Sequence, residues 1–106
     1  MKIAFRDSGT RLLFNDHARL EGRYGSDVAD RIASRMALLS VAANLAQLPV
    51  REPISLRADG GDGLFTVDAG PDHRLQFRGL DGKAGRSKSA QLERIEDIEV
   101  IGIRRV

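Results

Sequence analysis

Cysteine and tryptophan are both absent from this chain of 106 residues. Without thiols, neither disulfides nor a thiolate zinc site can staple so small a fold, and a reducing compartment suits it. No apolar run approaches the roughly 18 to 20 residues of a membrane span. The opening Met1-Lys2-Ile3-Ala4-Phe5-Arg6-Asp7 meets charge before a signal-peptide core can form. A cytoplasmic protein, neither secreted nor inserted in a membrane, is the expectation. Aromatic residues make up only 5% of the chain. So few rings count against a single-strand reader that holds bases by stacking.

What is present fits one globular domain over residues 1–106, with an ordinary apolar content of 42%. The net charge is only +2, but it is unevenly spread. Between His73 and Arg94 stand Arg74, Arg78, Lys83, Arg86, Lys88 and Arg94 against Asp81 and Glu93, a local balance of +4. Such a segment attracts a polyanion. Arginine far outnumbers lysine, and the guanidinium fork suits phosphate better than a point ammonium.

Lys2 to Phe5 reads as an opening strand. Thr10 to Tyr24 carries Leu12, Leu13, Phe14, Ala18, Leu20 and Tyr24 at helical spacing, with a possible break at Asn15-Asp16. Ser26 is placed to cap the next helix. From Asp27 to Leu48 a stripe of Val28, Ile32, Met36, Leu39, Ala43 and Ala46, widened by Ala29, Ala33 and Ala37, predicts one continuous helix ended by Pro49, with Arg31 and Arg35 on its polar edge. Strands are expected at Ile54–Arg57, Leu64–Asp68, Arg74–Arg78 and Ile98–Ile103. Gly79 to Ser89 reads as an exposed basic loop, and Leu92 to Ile95 as a short helical turn. The order is α+β: an N-terminal strand and two helices packed on a mostly antiparallel sheet.

Two motifs point nowhere specific. Asp59-Gly60-Gly61-Asp62-Gly63 is a tight turn rather than a calcium loop, because a single copy cannot assemble six oxygen ligands. The Gly79 to Ser87 segment lacks the spacing of a nucleotide-binding phosphate loop. His17 has too few neighbouring ligands for a metal and reads as a surface residue. No metal or cofactor is implied.

The hairpin around Ala69-Gly70-Pro71-Asp72 is the exception. Alternation places Arg74, Gln76 and Arg78 on one face of a strand and Leu75 and Phe77 on the other. His73 stands at the turn, where an imidazole could move protons near neutral pH beside a guanidinium that stabilises anionic oxygen. In RNA the 2′-hydroxyl is itself a nucleophile, so cations that orient and stabilise the phosphate, with proton transfer, suffice for cleavage without a metal.

Several segments, in order and spacing, carry a resemblance: Ile3-Ala4-Phe5; Leu12 to Asp16, then Tyr24-Gly25; Val28 to Leu48 with Ala43-Asn44-Leu45; Leu56 with Gly60 and Gly63; Phe65-Thr66-Val67; Pro71, then Arg74-Leu75-Gln76-Phe77; and Ile95 to Ile103. Together they resemble the RelE/HigB/ParE superfamily of small bacterial toxins, the HigB-like branch most closely. The resemblance implies a RelE-like fold and a metal-independent endoribonuclease that cleaves translated mRNA at the ribosome. It also implies a cognate helix-turn-helix antitoxin that silences the toxin in a hetero-oligomer. Arg74 matches the family's phosphate-stabilising strand arginine, and His73 replaces an aromatic, so these two are the catalytic candidates. Arg57, Arg78, Lys83, Arg86 and Lys88 are the RNA-binding candidates. Family members commonly close with a polar end that helps catalysis, whereas this chain closes Gly102-Ile103-Arg104-Arg105-Val106, which leaves the general acid and base unassigned. The alternative is a non-catalytic module of the same fold that inhibits a protein such as DNA gyrase, as ParE-like members do, or only binds antitoxin.

Overall fold

The computed structural model describes residues 1–60, 63–80 and 89–106, and of 89–91 the backbone alone. Eight regular elements follow in order: β1 (Lys2–Phe5), α1 (Ser8–Phe14), α2 (His17–Tyr24), α3 (Ser26–Val41), β2 (Arg57–Ala58), β3 (Leu64–Asp68), β4 (His73–Leu80) and β5 (Asp97–Arg105). Short 3-10 turns at Leu45–Gln47 and Ser89–Arg94 complete it. The strands form one sheet ordered β1-β5-β4-β3-β2, antiparallel except where β1 runs parallel to β5. The fold is therefore α+β, with three helices where two were predicted.

The extra helix comes from the break at Asn15-Asp16. Asp16 caps α2 by accepting from the Arg19 amide, as Asp7 caps α1 by accepting from the Thr10 amide. That bond holds the Asp7 carboxyl below its usual range. A depressed folded-state pKa contributes stability that is present above the unfolded value and lost as pH falls through the folded one. Asp7→Asn is therefore expected to remove part of the acid-side dependence of α1 stability, read from the exchange of amides 10–14 between pH 2 and 5. An unchanged profile would mean the cap does not couple to α1.

Two expectations for α3 are corrected. Its N-cap is Gly25 at φ +87, which also ends α2, and Ser26 is the first helical residue with no side-chain cap. The helix stops at Val41 rather than Leu48, because Ala42 turns extended and Asn44 starts a separate 3-10 turn by accepting from the Ala46 amide. The Leu45 amide is then captured by the Ile95 carbonyl at 3.0 Å. Ala33 and Ala37 within α3, and Ala43 and Ala46 beyond its end, are exposed, and the buried stripe is Ala29, Ile32, Arg35 and Leu39.

The run Ile54–Arg57 is not a strand over most of its length. Ser55 takes a left-handed φ of +53, and the amides of Ile54 and Ser55 both donate to the Arg51 carbonyl. Ile54, Ser55 and Leu56 are all buried, where a half-buried strand would alternate, so pairing begins only at Arg57. Gly79 is likewise not the start of an exposed loop. It lies in β4, buried, where a Cβ would stand 3.1 Å from the Ile95 side chain. Leu80 still belongs to β4 and Ser89 begins the 3-10 turn, and the part of the predicted loop between them, 81–88, lies outside the described residues.

The helix-facing side of the sheet carries the core. Phe65 and Val67 of β3 pair with Phe77 and Leu75 of β4, and Val100 and Ile98 of β5 continue the layer beneath Leu39 and Leu45. Phe65 and Phe77 stack with centroids 6.0 Å apart. A second cluster, Leu20, Ala29, Ile32 and Ala69, joins α2 and α3 to the start of the hairpin. Among the described residues no helix is long and apolar enough to cross a membrane.

Candidate functional site

The opposite side of the sheet is polar because the strands keep their period of two. Along β4, Arg74, Gln76 and Arg78 are half-buried and alternate with fully buried Leu75 and Phe77. Each has direct neighbours on the same side: Asp68 and Arg104 beside Arg74, Thr66 and Gly102 beside Gln76, and Leu64 and Glu99 beside Arg78. Arg57 of β2, opposite Thr66, closes the row.

Arg104 reaches this face through a bulge. Val100 opposes Phe77 but Gly102 opposes Gln76, so Ile101 is an extra residue and the alternation of β5 shifts phase. Ile103 thereby faces the helices and Arg104 stands directly opposite Arg74. Like charges across a strand pair repel. Here each has its own acid: Arg104 meets Asp59 at 3.2 Å, and Arg74 has Asp68 at 3.6 Å. Gln76 donates to the other side of the arrangement, reaching Asp59 at 2.7 Å.

Asp68 is contested. Arg57 holds its Oδ1 at 2.7 Å and its Oδ2 at 3.5 Å, and this pairing raises the Arg57 pKa above the usual arginine range. Arg74 is left 3.6 Å from the same Oδ1, beyond hydrogen-bond reach, and its Nε is buried with no hydrogen-bond partner among the described residues. A buried donor left unpaired is costly. Arg78 pairs with Glu99 at 3.9 Å. Among the described residues four arginines thus share the face with Asp59, Asp68 and Glu99.

The structure does not bring His73 and Arg74 together. As consecutive strand residues they point to opposite sides, and the His73 ring makes an edge contact with Tyr24 of α2, centroids 5.7 Å apart. Arg23 in turn lies 5.7 Å from the Tyr24 ring centre. Arg57 and Arg78 do join Arg74 on one face, whereas Lys83, Arg86 and Lys88 lie outside the described residues. His17 is on the surface, near Asp30 and Glu21 at 3.1 and 3.8 Å.

Sequence reasoning misses Arg104, Asp59 and Asp68 as site residues. Gly102 inside an apolar strand is the one signal that could have warned of the bulge. Beside the arginine face opens a cavity of about 540 Å³, lined among others by Arg6, Thr10, Arg23, Tyr24, Gln76 and Arg104. Gln76 and Arg104 belong to both, so the cavity and the polar face are continuous.

No protein-family model matches this sequence, and no curated protein matches it. Among solved structures it is similar to the YoeB/ParE toxin from Agrobacterium tumefaciens, with a TM-score of 0.57 and 14% identity, covering 100% of this chain and 99% of that one. The fold is thus of the YoeB/ParE toxin type, a RelE/ParE-like α+β architecture. The similarity does not separate out a HigB-like branch.

Proposed function

We propose that this chain is the toxin of a type II toxin-antitoxin pair, a cytoplasmic, metal-independent endoribonuclease that cuts translated mRNA at the ribosome and is silenced by a helix-turn-helix antitoxin. The observation that carries the reading is Arg74: a strand arginine whose Nε has no hydrogen-bond partner among the described residues, which shares Asp68 with Arg57 and stands opposite Arg104, itself on the wall of a groove large enough for a nucleotide. Fixed guanidiniums stabilise the charge that develops on a phosphate under attack by the 2′-hydroxyl. His73 faces the helices, so the proton acceptor on this face is a carboxylate, and Asp68, which already shares Arg74, is the nearest candidate. Lys83, Arg86 and Lys88, outside the described residues, are the further RNA-binding candidates.

One observation favours a second reading, a non-catalytic module of the same fold that binds a protein such as DNA gyrase. Every arginine of the described face has a carboxylate within ion-pair distance, and no histidine joins them. Expression without antitoxin separates the two when RNA 5′ ends and plasmid topology are followed together. Growth arrest with new 5′ ends in coding regions supports cleavage. Arrest with intact mRNA and altered supercoiling supports the second reading.

The pairing with Asp68 gives a further expectation. Asp68→Asn releases Arg57 and Arg74 from their acid, so binding of single-stranded RNA at low salt should tighten. The salt dependence should steepen by roughly 0.7 in log-log slope for each cation freed. Fluorescence anisotropy across a salt series measures both, and an unchanged slope would place RNA away from these two arginines.

A further inference from the structure

Asp68 is used twice. Its carboxylate serves the arginine face, while its backbone carbonyl accepts from Arg35 Nε at 2.7 Å. Arg35 was expected on a polar edge of α3, yet it is only 7% exposed. Its other donors reach the Pro53 carbonyl at 3.4 Å and the Ser34 hydroxyl at 3.5 Å. These partners are neutral, and among the described residues no carboxylate forms an ion pair with it. Backbone carbonyls therefore fix the guanidinium without neutralising it.

Arg31, one turn earlier on α3, lines the same cavity of about 380 Å³ as Arg35, together with Glu52, Pro53, Asp68, Gly70 and Pro71. None of the described residues forms a hydrogen bond or ion pair with the Arg31 guanidinium. Its stem lies on the hairpin turn: a Cβ at residue 70 would stand 3.2 Å from Arg31 Cδ, and Gly70 has a φ of +104. Glycine at 70 thus lets Arg31 lie flat. Burial, and then the charge of Arg31, push the Arg35 pKa down. The field of Asp68 acts on Arg35 in the opposite sense without outweighing them, and the Asp68 carboxylate itself is hydrogen-bonded by Arg57.

We infer that this cavity, on the helix side of the hairpin and bordering the arginine face at Asp68, is an oxyanion site that takes a phosphate group between Arg31 and Arg35. Two guanidiniums match the charge of a phosphate dianion, and its several acceptor oxygens can take bonds from two forks at once. The carbonyl contacts hold Arg35 in place beforehand, which lowers the ordering cost of binding. The inference does not depend on whether the chain cleaves RNA.

The test is titration of the full chain with inorganic phosphate at constant ionic strength, with chloride and acetate as parallel arms, followed by backbone amide shifts. Phosphate should give saturable shifts at residues 31–35 and 68–70, at least tenfold tighter than acetate. Arg31→Gln, an exposed substitution, should abolish them. Arg31→Lys, which keeps the charge but not the fork, should weaken them about tenfold. Arg74→Gln should leave them intact. A chloride response equal to that of phosphate, undiminished shifts in Arg31→Gln, or their loss in Arg74→Gln would overturn the site. Acetate binding as tightly as phosphate would overturn the phosphate assignment.

Discussion

Phe77→Ala is expected to destabilise the domain by about 3 to 5 kcal/mol, and Ile32→Ala by about 2 to 5 kcal/mol. Phe77 is fully buried at the centre of the sheet, stacked on Phe65 and paired across to Val100. Removing its ring opens a cavity that the neighbouring strands cannot close, since their register is set by hydrogen bonds on both sides. Ile32 is equally buried in the smaller cluster that holds α3 to Leu20 and Ala69. Its loss should loosen α2 and the hairpin turn before the rest of the sheet. Urea unfolding measures both, and near-neutral effects at the two positions would refute this packing.

Arg74→Ala is expected to leave the fold intact and abolish toxicity. Its side chain is 27% exposed, and Asp68 keeps its shorter contact with Arg57. Cleavage should fall by about 10² to 10³, the loss of one donor to a developing anion, roughly 2.7 to 4 kcal/mol. Arg74→Lys should recover only part of the rate, because an ammonium lacks the fork. His73→Ala should change the rate little, since the ring packs on Tyr24 away from the arginine face. Growth after induction, with far-UV circular dichroism as the folding control, distinguishes these outcomes. Full toxicity of Arg74→Ala would remove this arginine from the chemistry.

What was legible in the chain was whatever depends on period and punctuation. Lys2–Phe5 and Leu64–Asp68 were expected with the bounds they have, and the two faces of β4 followed from alternation along Arg74 to Arg78. The end of α3 was not legible, because a distant partner decides it: the Ile95 carbonyl takes the Leu45 amide. Burial of Arg35 escaped for the same reason, its acceptors standing 33 and 18 residues away in sequence. Arg104 was hidden by a single extra residue in β5, which reverses the face of everything after it. Adjacency of His73 and Arg74 invited a catalytic pair, yet once β4 begins at His73 the same period of two that groups the arginines sends the histidine to the other side.

Cleavage of a defined mRNA on programmed ribosomes, with a single 2′-deoxy nucleotide at the cut position, tests the proposed chemistry most directly. If the arginine face stabilises a phosphate attacked by its own 2′-hydroxyl, that oxygen bonds to phosphorus while the 5′-oxygen leaves. The all-ribose message should then be cut to a 5′-hydroxyl end, the deoxy message should stay intact, and Arg74→Ala should slow the cut by about 10² to 10³. Equal cutting of both messages, or no cutting of either by a folded wild-type protein, would contradict it.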